Sequence, residues 1–280
     1  MSVDTARVTR PHTGLPFLDA GRDEGVVLAF AHRGGAHHPD VVGLENTLVA
    51  FDHAVKLGYG YLETDVHLTA DGVLLAFHDD VLDRVTDRRG AIAATSYDDL
   101  ADALIGGREP IPRMADLLEH FAGTCFNIDL KSDRAVPALA DLVEQTAAHD
   151  RVCVGSFSEA RLRRFRRLVS RPVATSFGPV GVGVSRFAPG VLAEVLLQGH
   201  GDALQVPHRL PARLGGGTVV TERFVARAHQ RRKPVHVWTV DEPDEMRLLL
   251  DLGVDGLMTD RTDLLRDVLV ERGQWRGTTP

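Results

Sequence analysis

The chain has 280 residues, 44% hydrophobic and 25% charged, a composition that suits a globular protein able to bury a large core without disulfide staples. Its 32 Lys and Arg against 39 Asp and Glu give a formal net charge of -7, which argues against a general nucleic-acid or anionic-membrane binder. An anionic substrate would therefore need local positive charge, from a bound metal or a few aimed cations.

Val26 to Ala31 reads as a buried strand, and Asn46 to Leu57 as a helix with Leu48, Phe51 and Val55 on one stripe. Tyr61 to Leu68 is a second strand, and the Asp71-Gly72 turn leads into Val73 to Phe77 as a hairpin. Residues 80–110, mixed in Gly, Asp and Arg, read as an irregular insertion before a helix at Met114 to Phe121. Further strands are expected near 126–130, 152–156, 173–177, 203–206, 235–240 and 256–259. Helices are expected near 135–148, 159–169, 222–232, 242–252 and 263–271. In the helix at 159–169, Leu162, Phe165, Leu168 and Val169 form the apolar stripe, and the interleaved arginines read as a solvated face rather than a phosphate patch.

About eight strands alternating with helices predict a TIM (β/α)8 barrel, one domain over residues 25–272 with a small insertion at about 73–110. Residues 1–20 and 274–280 read as peripheral, and loops at 181–201 and 207–217 are not placed by the pattern. A doubly wound open sheet is the weaker alternative, because Gly34-Gly35 is followed by no GxGxxG. Gly215-Gly216-Gly217 lacks the Lys-Ser/Thr of a P-loop. Cys125 and Cys153 each open an apolar run and read as small buried residues. No run reaches the ~18 apolar residues of a membrane span, and residues 1–20 lack the order of a secretory signal, so a cytoplasmic protein is expected.

In a parallel barrel the C-terminal strand ends carry the chemistry, and polar residues in strands buried on both faces stand out. Strand one ends in His32-Arg33-Gly34; strand two carries Glu63 and Asp65 on one face, then His67; the hairpin strand ends in His78-Asp79. Asn127, Asp129 and Lys131 share a face of the third strand, and His236 and Trp238 share one near 235–240. Singly, each has a bland reading as a structural histidine or a rim salt bridge. Together they would cost several kcal/mol to bury unless paired or bound to metal. Glu63, Asp65 and Asp129 make a hard oxygen donor set suited to Mg²⁺ or Ca²⁺, with no thiol to favour Zn²⁺. Arg33 and Lys131 can neutralise phosphate oxygens, and two histidines can move protons near neutral pH. The combination reads as a metal-dependent phosphodiesterase.

At these residues the sequence resembles the glycerophosphodiester phosphodiesterase family. The match runs through His32-Arg33-Gly34, Glu45-Asn46-Thr47, Glu63-x-Asp65-Val66, Thr69-x-Asp71-Gly72, His78-Asp79 and Arg84-x-Thr86. It continues through Asn127-Ile-Asp129-Leu-Lys131, Val237-Trp238-Thr239 and Gly256-Leu-Met-Thr-Asp260, covering about residues 25 to 270. The resemblance implies a TIM barrel, a small glycerophosphodiester as substrate, one divalent cation, and His32 and His78 as acid–base pair. It also implies Arg33 and Lys131 as phosphate contacts, Glu63 and Asp65 as metal ligands, and Trp238 as a wall beside the glycerol. The third ligand of the family is usually Glu; here it is Asp129, one methylene shorter. For such enzymes the implied route is attack by the substrate's own glycerol hydroxyl, giving a cyclic phosphate that water opens. A lyase of the phospholipase D type on the same barrel and a non-catalytic phosphodiester-binding barrel are the rival readings. His208 and Arg209 read as either substrate contacts or a rim salt bridge, and no oligomeric state is implied.

Overall fold

Strands buried on both faces have no polar side to alternate with, and that is why the barrel strands appear in sequence as continuous apolar runs. The computed structural model describes residues 11–277 except 189–196, 198, 211, 213 and 214. In chain order the strands are β1 (Leu28–His32), β2 (Tyr61–Leu68), β3 (Leu74–Ala76), β4 (Leu104–Ile105), β5 (Glu109–Pro110) and β6 (Cys125–Leu130). They continue with β7 (Val152–Gly155), β8 (Ala174–Thr175), β9 (Leu204–Pro207), β10 (Val235–Trp238) and β11 (Gly256–Thr259). Eight of these run parallel in the order β8-β7-β6-β2-β1-β11-β10-β9, and a parallel bridge between Ser176 and Ala203 joins the two ends. The expected barrel is the fold.

The helices are α1 (Pro16–Asp19), α2 (Leu48–Lys56), α3 (Tyr97–Leu100), α4 (Met114–His120), α5 (Ala135–Gln145), α6 (Glu159–Leu168) and α7 (Pro179–Phe187). After α7 the labels continue as α8 (Glu222–Gln230), α9 (Pro243–Asp251) and α10 (Thr262–Glu271). Their starts follow side-chain capping: Thr47, Ser158 and Thr221 accept from the backbone N–H three residues on, at 3.2, 3.4 and 3.2 Å. α5 buries Ala135, Val136, Leu139, Ala140 and Val143, one face of a 3.6-residue period, against the barrel. In α6 Leu162 and Phe165 are fully buried, but Leu168 is 47% exposed because the helix ends there. The arginines of α6 find local partners: Arg161 reaches Asp133 at 2.6 Å at the surface, and half-buried Arg166 turns to the buried Thr175 of β8 at 2.9 Å. α7 falls in a stretch the periodicity left unplaced.

The insertion leaves the barrel after β2. β3 pairs antiparallel with β2, and the β4–β5 hairpin folds over a small cluster of Leu75, Phe77, Leu82, Ile92, Leu100, Ala103, Ile105 and Ile111.

The described parts of both chain ends differ from the expectation of peripheral segments, of which residues 1–10 and 278–280 lie outside the described residues. Phe17 and Leu18 of α1 are 1% exposed and pack with Leu28, Phe30, Cys153, Ala174, Ala203 and Met258. An eight-stranded barrel is filled by side chains, and this short helix supplies two of them, held by Tyr61 Oη donating to the Phe17 carbonyl at 2.8 Å. Trp275 likewise stands edge-on to buried Tyr59, with ring centroids 5.0 Å apart. Phe17→Ala is therefore expected to cost about 3–5 kcal/mol of unfolding free energy, as read from urea denaturation midpoints. A cost below about 1 kcal/mol would return α1 to the periphery.

Candidate active site

β1 delivers His32 and Arg33 at its end, where the chain turns sharply. Arg33 has φ 50° and Asn46 has φ 60°, a left-handed conformation that costs energy in non-glycine residues. The strain is held by hydrogen bonds: Arg33 N donates to the Glu63 carbonyl at 3.0 Å, Asn46 N to the Arg33 carbonyl at 2.9 Å, and Thr64 Oγ1 to Asn46 Oδ1 at 2.7 Å. Gly34 follows at φ +84°, where a Cβ would lie 2.8 Å from that of Ala50 on α2. Only glycine lets the loop close against the helix here.

His32 is set between two carboxylates. Its Nδ1 is 2.7 Å from Asp260 Oδ1, just beyond β11, and its Nε2 is 3.7 Å from Glu63 Oε2. Burial disfavours the imidazolium, but Glu63 and Asp260 outweigh it and raise the pKa. His78 is anchored in the same manner, with Nδ1 2.5 Å from Asp79 Oδ1, and the His67 ring donates from Nε2 to the His78 carbonyl at 3.0 Å.

β2 and β6 pair so that Glu63 lies opposite Asn127 and Asp65 opposite Asp129. Burial, reinforced by the neighbouring Asp65 charge, pushes Glu63 up to about 7. Burial acts on Asp65 too, but Lys131 and Arg33 prevail and hold it below the usual carboxylate range. Asp129 is raised by burial despite Lys131. Lys131 Nζ lies 2.7 Å from Asp65 Oδ1 and 2.8 Å from Asp129 Oδ2, so it braces the two carboxylates. Arg33 Nε is 3.4 Å from Asp65 Oδ2.

This donor set suits a hard divalent cation. The donors are all carboxylate oxygen, Asp65 Oδ2 is buried without a hydrogen bond, and Glu63 is short of positive charge. Among the described residues, the triads with donor atoms within 4.8 Å of one another are His38-Asp40-His53 and His37-Asp241-Asp260. Glu63, Asp65 and Asp129 are not drawn that close, and Lys131 Nζ stands between Asp65 and Asp129.

Four residues that the motif comparison quoted without a role join this site. Glu45 accepts from Arg33 at 3.2 Å and from Arg84 at 2.7 and 2.8 Å. Arg84 also reaches Asp79 at 2.6 Å, and its hydrogen bond, ahead of that from His78, brings Asp79 down to about 2. The chain Arg33–Glu45–Arg84–Asp79–His78 thus ties the β1 loop to the insertion. Asp260 is the fourth. Asp260 follows a strand end, Asp79 and Arg84 lie in the insertion and Glu45 in the β1 loop, charged residues visible in sequence that lacked only a partner.

Trp238 ends β10, partly buried, with exposed Phe157 edge-on at a centroid distance of 5.9 Å. Phe157 went unnoticed in sequence because a lone aromatic after a strand has no pattern. His208, just past the end of β9, is buried and paired with Glu245, and Arg209 makes a backbone bridge with Thr218. Cys125 and Cys153 are free thiols, and burial raises both, Cys125 to about 11. Among the described residues, no helix is long and apolar enough to cross a membrane.

A model of the glycerophosphoryl diester phosphodiesterase family matches residues 32–264, which include the strand-end residues from His32 to Asp260. The chain belongs to that family. It is an enzyme of this phosphodiesterase class. A Mycobacterium tuberculosis protein named "Probable glycerophosphodiester phosphodiesterase 2" is 39% identical over 273 residues, covering 94% of this chain and 98% of that protein. A solved structure of the same family from Silicibacter pomeroyi superposes with a TM-score of 0.72 at 26% identity, covering 89% of this chain and 94% of its own. An Oleispira antarctica phosphodiesterase, solved with the product sn-glycerol-3-phosphate, gives a TM-score of 0.73 at 21% identity, covering 89% of this chain and 98% of that one.

Proposed function

We propose that this enzyme hydrolyses small glycerophosphodiesters to glycerol 3-phosphate and a free alcohol, with His32 and His78 as its acid–base pair and a divalent cation, Mg²⁺ or Ca²⁺, at Glu63, Asp65 and Asp129. The observation that carries this reading is the matched anchoring of the two imidazoles. Each has Nδ1 held by its own aspartate, Asp260 for His32 and Asp79 for His78, which leaves Nε2 for proton transfer. Both act on one carboxylate cluster: His32 on Glu63, and His78 by its charge on Asp65 and Asp129. The product bound to the Oleispira barrel is the one proposed here.

Arg33 and Lys131 would bind the non-bridging phosphate oxygens, and Trp238 with Phe157 would shield the glycerol side from water. One imidazole takes the proton from the glycerol hydroxyl that neighbours the phosphate. The other gives a proton to the departing alkoxide, so the pair ends with its roles exchanged. Water then opens the cyclic phosphate with the two roles reversed, and no side-chain nucleophile is consumed. The cation would neutralise charge on the phosphodiester oxygens when bound.

Phosphorus NMR of glycerophosphocholine turnover tests this. A transient five-membered cyclic phosphate should precede glycerol 3-phosphate, and a diester of 2-deoxyglycerol should stay intact. Comparable cleavage of the deoxy diester would rule out the cyclic route.

A further inference from the structure

We propose that His38, Asp40 and His53 form a second metal site, for a borderline transition-metal ion such as Zn²⁺, in the β1 loop and on α2. The three side chains each offer one donor atom, and these lie within 4.8 Å of one another. His53 Nε2 is 3.4 Å from Asp40 Oδ2, and His38 Nδ1 is 4.0 Å from the same oxygen. Tetrahedral Zn²⁺ with ligands at ~2.0–2.1 Å spaces its donors about 3.3 Å apart. The His53–Asp40 edge is already that length, the His38–Asp40 edge closes by less than an ångström of side-chain movement, and the edge between the two imidazoles is within 4.8 Å.

The donor chemistry differs from that of the carboxylate cluster. Two imidazoles and one carboxylate, with a fourth position open to water through exposed Asp40, suit Zn²⁺ better than Mg²⁺ or Ca²⁺. The imidazole rings are 4.3 Å apart, so protonating both would place two like charges in contact. His38 Nδ1 accepts from Asp40 N at 3.1 Å; ligation through Nε2 keeps that bond, and ligation through Nδ1 replaces it. The other triad, His37-Asp241-Asp260, turns the Oδ2 oxygens of both aspartates toward His37 at 3.5 and 3.6 Å, and with one exposed imidazole it offers a transition metal fewer nitrogen donors.

An ion here would pin the loop that carries Arg33 and Glu45 to α2. The test is titration with Zn²⁺ alone, by calorimetry and thermal melting, on the full chain. Asp65→Asn is compared as the control for the carboxylate cluster. Wild type and Asp65→Asn should share a Zn²⁺ binding event, weakened at least about tenfold in Asp40→Ala and His53→Ala. At a hundredfold excess over Kd the melting temperature should rise by roughly 5–10 °C in the first two only. Asp40 is exposed, so Asp40→Ala keeps the test valid even if His53→Ala folds poorly. Its turnover with Mg²⁺ should equal that of wild type. Zn²⁺ binding that survives both ligand substitutions, is abolished by Asp65→Asn alone, or is absent from wild type overturns the site.

Discussion

Replacing His32 or His78 with alanine is expected to lower turnover of glycerophosphocholine by about 10²-fold or more, with divalent-cation affinity largely kept. The expectation differs in kind from a folding defect. His78 is one-third exposed, and removing its ring leaves Asp79 paired with Arg84. His32 is more enclosed, and its loss frees the Asp260 carboxylate, while the Asp260 backbone N–H still donates to Asp241 Oδ1 at 2.8 Å. Initial rates at saturating metal, with melting temperatures measured alongside, separate the two effects. Near-wild-type turnover in either variant would remove that histidine from the acid–base pair. Asp260→Asn provides the graded control. It keeps the shape beside His32 Nδ1 but withdraws the charge that fixes the tautomer, so a smaller loss confined to kcat is expected.

Much of this site could be read before any coordinates, for a physical reason. A strand buried on both faces tolerates charge only where the charge is used, so Glu63, Asp65, Asp129 and Lys131 stood out against Leu62, Val66, Ile128 and Leu130. The alternation of short strands and helices likewise pointed to a parallel sheet covered on both faces, and the lack of a GxGxxG after the first strand turned that toward the barrel rather than a doubly wound sheet. What escaped depends on distance across the fold. Asp260 meets His32 from 228 residues away, and Glu45 meets Arg84 only because the insertion folds back over the β1 loop. α7 escaped for a local reason. Its Pro-Val-Gly-Val-Gly-Val start is poor helix sequence, and the backbone at Gly181 passes so close to the Phe177 ring that a Cβ there would lie 2.6 Å from it. α1 escaped because four residues are too few to show a period, although Phe17 and Leu18 fill the barrel.

Glu63→Gln should abolish most turnover, at least about 10²-fold, and yet leave the metal-free protein more stable than wild type near pH 7.5. The sign follows from the raised pKa. A buried carboxyl that rises from 4.5 to about 7 binds its proton more tightly in the folded state than in the unfolded one. The stability it contributes is present below the unfolded value and lost as pH rises through about 7, so metal-free wild type should weaken over that interval. Gln carries no charge to desolvate and is spared. Asp65→Asn should behave oppositely in stability, because Asp65 is held low by Lys131 and Arg33 and its loss leaves those cations facing less negative charge. A cation bound beside Glu63 needs the deprotonated form, so its affinity should fall by up to about tenfold per unit as pH drops below 7, and binding should release close to one proton. Calorimetry in buffers of differing ionisation enthalpy measures that proton directly. Urea midpoints of metal-free wild type and Glu63→Gln across pH 5 to 8 measure the stability crossing. If the two curves stay parallel, Glu63 is not carrying an unpaid charge, and the argument that this carboxyl awaits a cation loses its support. A crossing would mean that the charge on Glu63 costs the metal-free fold stability, a cost that a cation bound beside it would offset.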